Sequence, residues 1–201
     1  MARQLVLATR NAGKIAEMQR LLQSFNLDCE VISSSRFDLP DVEETGSSFE
    51  ENAILKASTI SRATSLPAIA DDSGLCVDAL NGAPGIYSAR WAGVHGDDAA
   101  NIARVLDQIS AVAEGQRGAR FVCVIALALP TGWIEVVRGE LPGRIRRNAA
   151  GTYGFGYDPI FEPEGYTMTL AEMLPEKKDE ISHRARALRE IAPRIAPFLG
   201  L

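Results

Sequence analysis

Residues able to handle phosphate, metal or an aromatic ring fall in separate short segments of this chain. The most demanding is Ala70-Asp71-Asp72-Ser73-Gly74, where paired acids end the apolar run Pro67–Ala70. Carboxylates there are costly to bury unless they bind something. Side chains alternate along a strand. Asp72 therefore shares a side with Ala68 and Ala70, and Asp71 shares the other with Ile69. The small-residue side leaves room for a ligand, which makes Asp72 the candidate site residue and Asp71 its support. An Asx-type turn into Ser73-Gly74 is the competing reading.

Thr9-Arg10-Asn11-Ala12-Gly13-Lys14 lies between the apolar run Leu5–Ala8 and a helical pattern carried by Ile15, Met18, Leu22 and Phe25. The first N–H groups of a helix lack backbone partners and suit phosphate oxygens. Thr9 and Asn11 add neutral donors, Gly13 permits close approach, and Lys14 adds charge. G-x-x-x-x-G-K-[ST] is absent, so this is no Walker A loop. A plain turn with Asn11 as helix cap explains the same residues. In Glu43-Glu44-Thr45-Gly46 and Glu50-Glu51-Asn52, with Lys56, acids precede a helix face shared by Asn52 and Lys56. Magnesium favours one or two carboxylates plus water and phosphate oxygens; a solvated charged loop is the default alternative. Phe155-Gly156-Tyr157-Asp158 combines glycine with aromatics, as a ring-stacking face or a core turn would. Lys178 and Ser182-His183-Arg184 complete the set. Ser182 reads as a helix cap, with His183 and Arg184 projecting from the helix start.

These segments need a scaffold. Residues 28–46 read as irregular and acidic. A helix starts near Ser47-Ser48, with a Ser48/Glu51 capping box and a stripe of Phe49, Ala53, Ala57, Ile60 and Ala63. Asp97 caps a helix bearing Ile102, Leu106 and Ile109. Arg120–Leu129 and Trp133–Glu140 read as strands joined by a turn. The last helix runs from about His183, and Pro193 is expected to kink or interrupt it. This order predicts an α/β fold, a mixed central sheet with flanking helices, in a single domain over 1–201.

Composition narrows the classes. A formal net charge of -5 gives no global attraction to nucleic acid or an anionic membrane. No apolar run is long enough to span a bilayer, and residues 1–8 do not read as a signal peptide. Cys29, Cys76 and Cys123 are odd in number and widely spaced, a poor disulfide or zinc framework. A reducing cytoplasm is the expected setting.

Together the segments resemble the inosine triphosphate pyrophosphatase family, hydrolases of deaminated purine nucleotides. The match runs in order through Thr9-x-Asn11-x-x-Lys14, Glu43-Glu44-Thr45-Gly46, Glu51-Asn52-Ala53-x-x-Lys56 and Ala70–Gly74. It continues through Gly82–Arg90, Phe155–Asp158 and Ile181–Arg184. The resemblance implies two lobes around a nucleotide-binding cleft, a homodimer, and water attack on the α-phosphorus. It implies that Thr9, Arg10, Asn11, Ala12, Gly13, Lys14 and Lys56 hold the triphosphate. Glu43 and Asp72 would bind Mg²⁺, with Asp72 also the proton acceptor. Ser73, Phe155, Gly156, Tyr157, Asp158, Lys178, His183 and Arg184 would line the nucleoside site. Arg10 departs from the family's small or neutral residue, and either contacts phosphate or points to solvent. Lys178 and Arg184 can only donate. They would favour a 6-oxo purine over adenine, as a donor distinguishes guanine from adenine. A Maf-like pyrophosphatase acting on modified pyrimidine nucleotides and a nucleotide sensor without turnover are the rival readings.

Overall fold

A computed structural model describes residues 4–25 and 29–198. Its strands are β1 (Gln4–Leu7), β2 (Glu30–Ser33), β3 (Ala68–Val77), β4 (Gly118–Ala128), β5 (Ile134–Ile145) and β6 (Phe161–Pro163). Its helices are α1 (Ala12–Ser24), α2 (Phe49–Thr64), α3 (Asp98–Gln108), α4 (Pro175–Ile181) and α5 (His183–Phe198). The sheet runs β2-β1-β3-β4-β5-β6. β1 is parallel to both β2 and β3, whereas β5 and β6 are antiparallel, so the sheet is mixed as expected.

The chain divides into two compact units. The first comprises Met1–Asp72, Cys123–Gly139 and Arg184–Leu201. Its core packs Met18, Leu21 and Leu22 of α1 and Ala185, Leu188, Ile191 and Ile195 of α5 with Leu5, Leu7, Ile69, Cys123, Ile125 and Leu127 of the strands. The heptad-like spacing of those helical residues makes one apolar stripe per helix. The second unit comprises Ser73–Val122 and Glu140–His183. Leu75, Val77, Phe121, Leu141, Ile145, Phe161 and Met173 form its core with Val105 and Ile109 from the α3 region. Full burial of such side chains contributes about 1.5–3 kcal/mol each.

Several expectations change. The stretch read as irregular contains β2, a short edge strand whose polar residues hid its pairing with β1. Residues 28 and 199–201, within stretches assigned no element or motif, lie outside the described residues. β3 does not stop at Ala70 but continues through Asp71-Asp72-Ser73-Gly74 to Val77, which removes the turn reading. β5 likewise passes Glu140 to reach Ile145. Ser48 caps α2 by accepting from the Glu51 N–H at 3.1 Å. The Glu51 carboxylate, however, returns to the Ser47 N–H at 2.7 Å, one residue earlier than a capping box requires. Ala63 is exposed, because the helix end has turned past the core face. α5 runs through Pro193 without interruption. Burial of Ile191 and Ile195 on either side offsets the lost backbone bond.

In β5, Gly143 pairs with Pro163 on β6. A Cβ there would overlap the Glu162 carbonyl oxygen and lie 2.7 Å from the Phe161 ring. Gly143→Ala should therefore destabilise the fold by about 1–3 kcal/mol through overpacking. Urea unfolding checks this, and an unchanged midpoint would contradict it.

Candidate active site

In the first unit, the two adjacent carboxylates of β3 are both buried, Asp71 at 0% and Asp72 at 5% exposure. Alternation along the unbroken strand gives them separate partners. Asp71 meets the Lys14 ammonium at 3.1 Å and Arg184 at 3.0 Å. Arg184 also donates to Glu17 at 2.7 Å. Asp72 meets Lys56 at 2.9 Å, and the Asn52 amide donates to it at 3.3 Å. Lys56 reaches the Glu44 carboxylate at 3.0 Å as well. The Asn52 carbonyl accepts from the Gly46 N–H at 2.8 Å, fastening the acidic loop to α2.

The environments push these groups in different directions. Burial would raise the Asp71 carboxyl, but Lys14, Arg184 and Lys56 outweigh it and hold it well below the usual carboxylate range. At Asp72 burial prevails over Lys56 and Lys14, and Glu44 adds repulsion, so its carboxyl is raised. Burial opposes the charge on Lys56, yet Asp72, Asp71 and Glu44 prevail and raise it. Arg184 is raised likewise, against its burial, by Glu17 and Asp71.

The loop before α1 behaves partly as a helix cap. The Asn11 carboxamide oxygen accepts from the Lys14 N–H at 3.0 Å, and the Asn11 N–H reaches Thr9 Oγ1 at 3.3 Å. Ala12 and Gly13 form the first turn of α1. Arg10 is exposed, pairs with Asp41 at 2.8 Å and donates to the Leu39 carbonyl, tying this loop to the acidic segment. Glu43 is exposed, and it is its neighbour Glu44 that shares Lys56 with Asp72.

In the second unit, Phe155, Gly156, Tyr157 and Asp158 form a tight loop. Asp158 accepts from the Phe155 N–H at 3.0 Å and pairs with buried Lys178 of α4 at 2.6 Å. The Lys178 ammonium lies 4.6 Å from the Phe155 ring centroid. Tyr157 is a core residue, with its hydroxyl donating to the Ser88 carbonyl at 2.9 Å. The His183 ring stacks on Phe121, with centroids 4.8 Å apart. Ser73 is half-buried on β3. Arg184 is 1% exposed and belongs to the first unit, where its guanidinium engages Asp71 and Glu17.

Glu17 escaped sequence reasoning, while Glu44 and Ser88 were seen only as members of longer motifs. Glu17 left a trace, as an acid on the helix face of Met18 and Leu21 that needs a buried cation. Nothing local separates Glu44 from Glu43, and a carbonyl acceptor such as that of Ser88 leaves no side-chain signature.

The Ham1 family profile matches residues 5–194. The chain belongs to the Ham1 family. Ham1 relatives include a dITP/XTP pyrophosphatase of Streptomyces avermitilis, 54% identical over 197 residues and 98% of both chains. One of Streptomyces coelicolor, with the same name, is 55% identical over the same coverage. A HAM1 protein of Coxiella burnetii superposes with a TM-score of 0.87 at 44% identity, covering 97% of this chain and 99% of that one. The Staphylococcus aureus Ham1 protein gives 0.85 at 42% identity, covering 96% and 98%.

The depressed Asp71 carboxyl has a thermodynamic consequence. Its ionised form stabilises the fold in full above about pH 4, the ordinary unfolded value, and that contribution falls as pH drops below it. The expected slope is about 1.4 kcal/mol per pH unit. Urea unfolding between about pH 4 and pH 2.5 should show the wild type losing stability more steeply than Asp71→Asn, by about that slope. Parallel slopes would contradict the assignment.

Proposed function

We propose that this chain hydrolyses the deaminated purine nucleoside triphosphates ITP, dITP and XTP to monophosphate and pyrophosphate. The reading includes Mg²⁺ dependence, attack of water on the α-phosphorus, and one working domain over 1–201. The observation that carries it is the Asp72–Lys56–Glu44 cluster, in a chain more than half identical to proteins named dITP/XTP pyrophosphatase.

The donor chemistry of that cluster fits magnesium. Asp72 and Glu44 bring hard carboxylate oxygens to a single ammonium, and magnesium needs only one or two such ligands beside water and phosphate. Asp72 with Glu43, the acid expected from the resemblance, would hold the ion, and Glu44 beside Lys56 would add a further carboxylate to the loop. When bound, it would neutralise charge on the phosphates.

The protein's own groups supply the rest. Phosphoryl transfer depends mainly on positioning and electrostatic stabilisation. Lys56 remains charged and is suited to phosphate oxygens. Lys14, anchored by Asp71, and the segment Thr9–Gly13, which leads through Arg10 and the Asn11 cap into the first turn of α1, supply further positive potential. Asp72, whose carboxyl is raised by burial, is a better proton acceptor for water than an ordinary aspartate. Lys178, beside the Phe155 ring, donates to a 6-oxo group and leaves an adenine amine facing a donor. Ser73, Phe155, Gly156, Asp158 and His183 complete the nucleoside contacts, with Tyr157 bracing the loop. Arg184, whose donors serve Asp71 and Glu17, anchors Asp71.

The same reading makes the protein a cytoplasmic homodimer. Its cysteines are thiols rather than a disulfide, and no helix among the described residues is long and apolar enough to cross a membrane.

Pyrophosphate release from ITP, dITP, XTP, ATP, GTP and a modified pyrimidine triphosphate, with and without Mg²⁺, tests the reading. Release from the deaminated purines should exceed that from ATP by at least about 100-fold, and EDTA should abolish it. Faster release from the pyrimidine would favour a Maf-like activity. Binding of ITP without release would make the protein a sensor.

A further inference from the structure

We propose that Asp98 is a positioning residue for base recognition, acting through the main chain of Gly156. The proposal rests on the reading of the Phe155–Asp158 loop as a nucleoside-contacting segment. Asp98 is the first residue of α3 and is exposed. Its Oδ2 accepts the Gly156 N–H at 2.7 Å, joining positions 58 residues apart. A carboxylate–amide bond is stronger than a neutral one, and the helix N-terminus favours a negative side chain at this position.

The loop needs such a tie. Gly156 has φ +60, in the left-handed region. On one side the Phe155 N–H is held by Asp158, and on the other the Tyr157 hydroxyl is held by the Ser88 carbonyl. Asp98 holds the bend between them. It thereby fixes the direction of the Gly156 peptide and of the half-buried Phe155 ring, over which Lys178 lies. A contact surface fixed before binding loses less freedom on binding. Asp98 itself buries little surface, so its bond serves the loop's direction rather than the core.

The test uses the full chain with Mg²⁺ and compares Asp98→Ala, Asp98→Asn and Phe155→Ala. Steady-state kinetics with ITP are measured beside inhibition by inorganic tripolyphosphate, which lacks a base, and thermal unfolding. Asp98→Ala should raise KM for ITP about fivefold to tenfold, the worth of one such hydrogen bond. Its kcat should stay within about twofold, with tripolyphosphate inhibition and the unfolding midpoint unchanged. Asp98→Asn, which keeps an acceptor oxygen, should restore most of the loss. An unchanged KM in Asp98→Ala, with KM raised in Phe155→Ala, would overturn the role of Asp98 alone. Equal weakening of ITP and tripolyphosphate with a lower midpoint would overturn it in favour of a structural role. If Phe155→Ala leaves KM unchanged, the base-contact reading beneath the proposal fails.

Discussion

Two consecutive carboxylates buried on one extended strand leave it on opposite faces, so their direct ion-pair partners differ although Lys14 and Lys56 act on both. β3 therefore needs matched cations on both sides. Lys14 and Arg184 serve Asp71, and Lys56 serves Asp72. Arg184 is itself too deeply buried to stand with one acid, and Glu17 balances it. Removing one member of such a network leaves an uncompensated buried charge, which is far costlier than losing an exposed pair. The placement of α1, α2 and α5 in the first unit follows, since each must bring its charged residue to β3 while burying an apolar stripe.

The same constraint separates the chemistry of neighbouring residues. Asp71 sees more positive charge than its burial can offset, and its proton is held off. Asp72 faces one close ammonium already shared with Glu44, and burial wins. Pairs of titratable groups pushed apart by their surroundings are the usual basis of acid–base assignments. Asp71 thus orders Lys14 and Arg184, whereas Asp72 keeps an oxygen of raised proton affinity against Lys56.

Much of this was legible in residue types and order. Alternation along β3 separated Asp72 from Asp71, and the helix spacing of Asn52 and Lys56 put both on one face, which the structure turns toward Asp72. Apolar periodicity exposed α1, α2, α3 and the β4–β5 pair. Other features depended on contacts distant in sequence. β2 holds two apolar residues, Val31 and Ile32, between Glu30 and Ser33, too short an apolar run to announce it. Glu43 and Glu44 are chemically alike, and only the path of the loop decides which reaches Lys56. Arg184 reads locally as a helix-start donor, but Glu17, 167 residues away, engages its guanidinium. The Asp41 and Leu39 partners of Arg10 lie about 30 residues along the chain, so no local pattern announced them.

The division of labour between the two acids is most directly tested by comparing Asp71→Asn with Asp72→Asn. Turnover of ITP is measured at a temperature where both variants are folded, alongside their unfolding midpoints. The account predicts that Asp72→Asn loses about 100-fold or more in kcat with a smaller drop in midpoint than Asp71→Asn, because Glu44 still faces Lys56. Asp71→Asn should lose stability while retaining most of its turnover. Loss of turnover in Asp71→Asn with full activity in Asp72→Asn would contradict it.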